Sequence, residues 1–177
     1  NETLDVLADC GIKFTILSPH QAKCVRRLNS NEAWNDVSWG NIDPARAYRY
    51  YTNSDRSKYI DLFFYDGSIS KSVAFDELLT DGNKFISRLK EGESGLRDYN
   101  QLVHIATDGE SYGHHTKFGD MALAYILKVK AKDYGFTVTN YANYLELEPP
   151  QYEVDIKDVS AWSCSHGVGR WCDDCGC

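Results

Sequence analysis

The chain has 177 residues, 42% of them hydrophobic and 25% charged, which is the make-up of a globular protein with length for one domain or a large piece of one. Its net charge of −7 argues against non-specific nucleic-acid binding, which needs clustered Lys and Arg. No apolar run approaches the roughly 20 residues of a membrane span, and no basic-then-apolar start marks a signal peptide.

Residues 2–10 read as a short helix. Leu4, Leu7 and Ala8 share a face, Asn1 can cap the start and Gly11 can end it. Residues 12–17 alternate in a β-rich run that stops at Ser18-Pro19. Residues 28–45 are polar and irregular, with Trp34 and Trp39 embedded. Strands are predicted at 47–51 and 59–65, joined by a turn at 52–56. Residues 69–91 read as helix in two pieces, broken near Asp81-Gly82, and 91–100 as a linker.

Residues 101–106 form a compact apolar run, predicted as a buried strand. The helix after it carries Phe118, Met121, Ala122, Tyr125, Ile126 and Val129 on one stripe, up to a break at Gly135. A strand at 136–139, a helix at 140–147 closed by Pro149-Pro150, and a strand at 152–156 complete the pattern. Strands alternating with helices predict a parallel sheet or part of a β/α barrel, and both place ligands at the carboxyl ends of strands.

Two carboxylates fall at such ends. Asp66 follows the strand at 59–65, where an acid beside glycine also makes ordinary turn chemistry. Asp108 lies in Thr107-Asp108-Gly109-Glu110-Ser111-Tyr112-Gly113-His114-His115. Two carboxylates and two imidazoles so close together are costly to bury and unneeded if merely exposed, so a site explains them better than a plain loop. With 12 Tyr and 4 Trp the chain also has rings suited to stacking on sugars, although a tyrosine-rich core accounts for them equally.

The run Asp108-Gly109-Glu110-Ser111-Tyr112-Gly113 resembles the Asp-x-Glu-x-Phe/Tyr-Gly motif of glycoside hydrolase family 57. Residues 4–17 (LDVLADCGIKFTIL), 18–22 (SPHQA), 62–67 (LFFYDG), 74–75 (AF), 104–115 and 161–177 (AWSCSHGVGRWCDDCGC) resemble, in order, a subgroup loosely described as α-amylase or α-mannosidase relatives. The resemblance implies a (β/α)7 barrel, here in part and with parallel strands, followed by a Cys/Trp-rich C-terminal segment. It implies retaining hydrolysis or transfer at α-glycosidic bonds of an α-glucan or oligosaccharide, with no cofactor. The chemistry needs two carboxyl groups about 5–5.5 Å apart, one giving a proton to the leaving oxygen and one attacking the anomeric carbon.

By this resemblance Asp108 is the general acid/base. Glu110, His114, His115, Asp66 and Trp162 are candidate substrate contacts, and Trp171 a further stacking candidate. Glu110 could equally serve a structural hydrogen bond, and one of the histidines could simply cap the next helix. The nucleophile would sit in a Pro-Glu motif ahead of the helix at 2–10. Glu2 fits better as a charge at that helix's start, and His20-Gln21 does not match the family's His-Gln motif. The expectation is therefore a cytoplasmic fragment of one catalytic domain, residues 1–177, cut at both ends and inactive alone.

Two other readings stay open. One is a non-catalytic, carbohydrate-binding or structural barrel. The other is a metal-dependent polysaccharide deacetylase with His114 and His115 as ligands. The six cysteines pose a separate question. Cys10 and Cys24 are isolated, whereas Cys164, Cys172, Cys175 and Cys177 crowd the tail, unlike a disulfide scaffold. Cys164-x-His166 and Cys172-x2-Cys175-x-Cys177 suit reduced thiols, a sporadic disulfide or zinc. The expected site carries no metal.

Overall fold

The computed structural model describes residues 2–177, which form two compact units: residues 2–64 with 149–177, and residues 65–148. No helix among them is long and apolar enough to cross a membrane.

The first unit is a six-stranded mixed sheet. Its strands are β1 (Phe14–Leu17), β2 (Ala22–Arg27), β3 (Asn35–Asp36), β4 (Ala47–Tyr51), β5 (Tyr59–Phe64) and β6 (Tyr152–Ile156), in spatial order β1-β5-β4-β6-β2-β3. The β1–β5 and β4–β6 pairs are parallel, and β4–β5, β2–β6 and β2–β3 are antiparallel. The all-parallel expectation is corrected here. The link between β4 and β5 is a tight turn in which Thr52 N–H donates to Lys58 O (3.1 Å) and Lys58 N–H to Asn53 Oδ1 (3.2 Å). So short a connection can only return the chain antiparallel, because a parallel neighbour needs a crossover of a dozen or more residues.

Helix α1 (Glu2–Asp9) precedes this sheet. Gly11, at φ 82°, ends it in a Schellman arrangement: Gly11 N–H donates to Ala8 O and Ile12 N–H to Leu7 O, both at 3.0 Å. Leu4 is buried with Tyr48, Ile60, Leu62, Phe64, Val154 and Ile156 on one sheet face, with Leu7 and Ala8 packed beside them. Burying a side chain of this size stabilises by about 1.5–3 kcal/mol.

The opposite face carries a charged row across the register Asp61↔Arg49↔Glu153↔Arg26. Arg49 forks onto Asp61 at 2.9 and 3.2 Å, and buried Glu153 binds Arg26 at 2.7 Å and Arg56 at 2.9 Å. The guanidinium groups of Arg49 and Arg56 also lie over the rings of Tyr59 and Tyr51, at 3.7 and 4.0 Å from their centroids.

The second unit is helical. It contains α2 (Gly67–Phe75), α3 (Gly82–Lys90), α4 (Gly119–Tyr125) running through a π stretch (Ile126–Lys130) into α5 (Ala131–Asp133), and α6 (Tyr141–Leu147). Short acceptor side chains start three of them. Asp66 caps α2, Asp81 caps α3 and Asn140 caps α6, each accepting N–H bonds from the first turn. The core gathers Val73, Leu79, Phe85, Ile86 and Ile126. In the first unit, α7 (Gly169–Cys172) is a single turn in the tail.

Two expectations in the helical unit are revised. Residues 101–106 and 136–139 form neither helix nor ladder among the described residues. The predicted stripe is also mostly outside: Phe118, Met121, Tyr125 and Val129 are exposed, and of its members Ile126 alone is fully buried. Phe118 lies before the helix in the left-handed region, and the π stretch from Ile126 shifts Val129 out of a constant 3.6-residue register.

Candidate active site

The polar loop is positioned by the segment before it. Asp66 N–H donates to His104 O (3.1 Å), and Ala106 N–H donates to Ser70 Oγ (3.1 Å), whose hydroxyl in turn donates to Asp66 O (2.6 Å). The segment thus docks on the first turn of α2 and delivers Thr107 and Asp108 from there. One 3-10 turn follows, Gly109–Ser111, in which Ser111 N–H donates to Asp108 O and Tyr112 N–H to Gly109 O. The hydroxyls of Thr107 and Tyr112, 2.9 Å apart, close the loop.

This geometry sorts the nine residues. Ser111 is buried and Tyr112 half-buried, whereas Asp108, Glu110, His114 and His115 are all exposed. Glu110 contributes structure through its carbonyl, which accepts N–H bonds from His114 (3.1 Å) and His115 (2.9 Å). The two imidazoles meet edge to face, with centroids 5.0 Å apart. Neither caps the next helix, since α4 starts at Gly119 after Phe118 in the left-handed region (φ 62°).

Asp66, the other strand-end acid, is half-buried, and one of its carboxylate oxygens accepts the Ile69 N–H at 2.9 Å. Trp162 and Trp171 belong to the sheet unit, exposed at 63% and 59%. Sequence reasoning overlooked buried His104, whose Nδ1 lies 3.0 Å from the Tyr141 hydroxyl; burial pushes that phenol up. A histidine inside an otherwise apolar run was the available signal. The His104–Tyr141 pair borders an open groove of about 640 Å³, lined also by Val103, Ile126, Phe136 and Tyr144, which none of Asp108, Glu110, His114 or His115 lines.

A second polar constellation lies in the tail. The ligand atoms of Cys164, His166, Cys175 and Cys177 all fall within 4.8 Å of one another, and Cys172 stands outside the group. Burial pushes the Cys164 thiol up, but the backbone N–H groups of Arg170 and His166 and the thiols of Cys177 and Cys175 outweigh it and bring it down to about 6. Among the described residues, Asp108, His114 and His115 belong to no grouping of three or more side chains able to hold a metal ion.

Residues 1–157 match glycosyl hydrolase family 57, and the chain belongs to that family. No curated protein matches it. Among solved structures it is similar to an exo-type maltose-forming amylase from Pyrococcus sp. ST04, with a TM-score of 0.56 and 19% identity over 86% of this chain. The chain spans only 25% of that amylase, and a likeness at this identity speaks for the fold alone. The mixed α/β architecture agrees with part of a family 57 barrel.

Proposed function

We propose that this chain contributes the acid/base side of a retaining glycoside hydrolase or glucanotransferase acting on α-glycosidic bonds of α-glucan-like polysaccharides. Family membership supports the reaction class. The observation that carries the residue assignment is Asp108 itself, an exposed carboxyl on a loop whose backbone is fixed on both sides. A group that must hand a proton to a leaving oxygen and take one back from water needs access to both and little freedom to wander.

In this reading Glu110 and the paired imidazoles of His114 and His115 line the sugar site. Asp66 lends its second carboxylate oxygen to a hydroxyl; Trp162, in the sheet unit, is a separate stacking candidate. The nucleophilic glutamate is supplied from outside these 177 residues, and the complete (β/α)7 barrel with it. The 177 residues alone then show no turnover.

The test is Asp108→Asn in a protein carrying the whole catalytic barrel. Turnover of an unactivated α-glucan is expected to fall by about 10²–10⁴-fold, the usual worth of a general acid/base. Sugar binding should stay measurable, and an aryl glycoside, whose leaving group needs little protonation, should lose much less. Equal losses on both substrates, or none, would remove Asp108 from this role. A parent barrel that binds α-glucan without cleaving it would instead favour a non-catalytic carbohydrate-binding domain.

A further inference from the structure

The tail from Lys157 to Cys177 has a folded shape and almost no core. Cys164 is its sole buried residue, while Val159, Trp162 and Trp171 lie largely in solvent. A segment this short and this exposed gains little from apolar burial of its own, the situation in which small folds use a cross-link or a metal. Its four clustered side chains come as two short arms, Cys164-x-His166 and Cys175-x-Cys177, with the single turn α7 between them.

Their spacing is that of a coordination sphere. Four ligands set tetrahedrally round zinc, with Zn–S near 2.3 Å, put two sulfurs about 3.8 Å apart and a sulfur and an imidazole nitrogen about 3.5 Å apart. Cys164 Sγ lies 3.8 Å from Cys175 Sγ and 3.7 Å from Cys177 Sγ, and His166 Nδ1 lies 3.4 Å from Cys177 Sγ and 4.0 Å from Cys164 Sγ. A disulfide would bring one pair to about 2.05 Å and strand the third thiol.

The backbone is shaped round the same point. A Cβ on Gly169 would sit 3.2 Å from the Cβ atoms of both Cys175 and His166, so a side chain there would push the two arms apart. Gly167 has φ +69°, and a Cβ on it would collide with the Val159 carbonyl oxygen.

We propose that Cys164, His166, Cys175 and Cys177 form a structural zinc site that folds the tail. Three thiolates and one imidazole leave no open position, so the ion clasps the two arms and takes no part in sugar chemistry. Binding draws protons off the thiols, and its free energy becomes folding free energy for the segment.

The test uses the 177-residue chain expressed in zinc-supplemented medium. Elemental analysis should find about one zinc per chain. Cys175→Ser and Cys177→Ser should each lower occupancy at least 10-fold, whereas Cys172→Ser should keep it. Cobalt substitution of the unmutated chain should give the visible absorption and sulfur-to-metal charge transfer of a tetrahedral thiolate site, a reading that depends on no variant folding. His166→Cys should keep zinc and intensify that charge transfer. The proposal is overturned by a metal-free chain whose six thiols all titrate in denaturant, by two fewer titratable thiols, by iron in place of zinc, or by equal loss in Cys172→Ser.

Discussion

At Asp66 two readings from the sequence, helix cap and substrate contact, have to be told apart. Its position after a strand and before glycine allows either a turn acid or a substrate contact, and its bond to Ile69 N–H makes it the cap of α2. The two roles separate by substitution. Asp66→Ala is expected to cost about 1 kcal/mol of stability, the usual worth of an N-cap, read as a lower urea midpoint. Asp66→Ser keeps a capping oxygen and should hold the midpoint while removing the charge. A raised KM in that variant of the complete enzyme would then report sugar contact. The Asp-x-Glu-x-Tyr-Gly loop stands out in the sequence as a candidate because of its polar density. The Thr107–Tyr112 clasp was not, since a contact between two hydroxyls follows from the turn and not from either residue type.

At the scale of elements, local chemistry read well and long-range pairing did not. Strands β4 and β6 fall where alternation put them, and the helix starts follow from Asp81 and Asn140. Direction was the weak point: the short turn at 52–58 already implied an antiparallel hairpin, but the wider alternation of strands and helices drew the eye to a parallel sheet. The apolar run at 101–106 has strand composition, yet a ladder needs a partner, and no pattern within the run supplies one. The charged row on the sheet was equally hidden, because Arg26, Arg56 and Glu153 are far apart in the chain. Glu153→Ala leaves two arginines facing each other on a half-dry face. Their side chains are 25% and 35% exposed against 6% for Glu153. The loss therefore belongs between a surface pair and a fully buried one, about 2 kcal/mol. Urea unfolding of Glu153→Ala and Glu153→Gln should show the larger fall for alanine.

For the whole molecule, the two units invite different stabilities. Backbone amides of β4 and β5 are tied into ladders over a buried face, whereas the segment at 101–106 hangs on bonds such as Asp66 N–H to His104 O and Ala106 N–H to Ser70 Oγ. Hydrogen–deuterium exchange should therefore label 101–106 well before 47–51 and 59–64. Equal protection would mean that the segment is stapled more firmly than its bonds suggest. The position of β6 has a consequence for synthesis. This strand, encoded after the entire helical unit, lies in the middle of the sheet between β4 and β2. Until it emerges from the ribosome, the earlier strands can make only two ribbons, β1-β5-β4 and β2-β3, each with a raw edge open to stray pairing. A nascent chain halted before Tyr152 is thus two half-sheets waiting for a keystone, and chaperones should bind it far longer than the finished product.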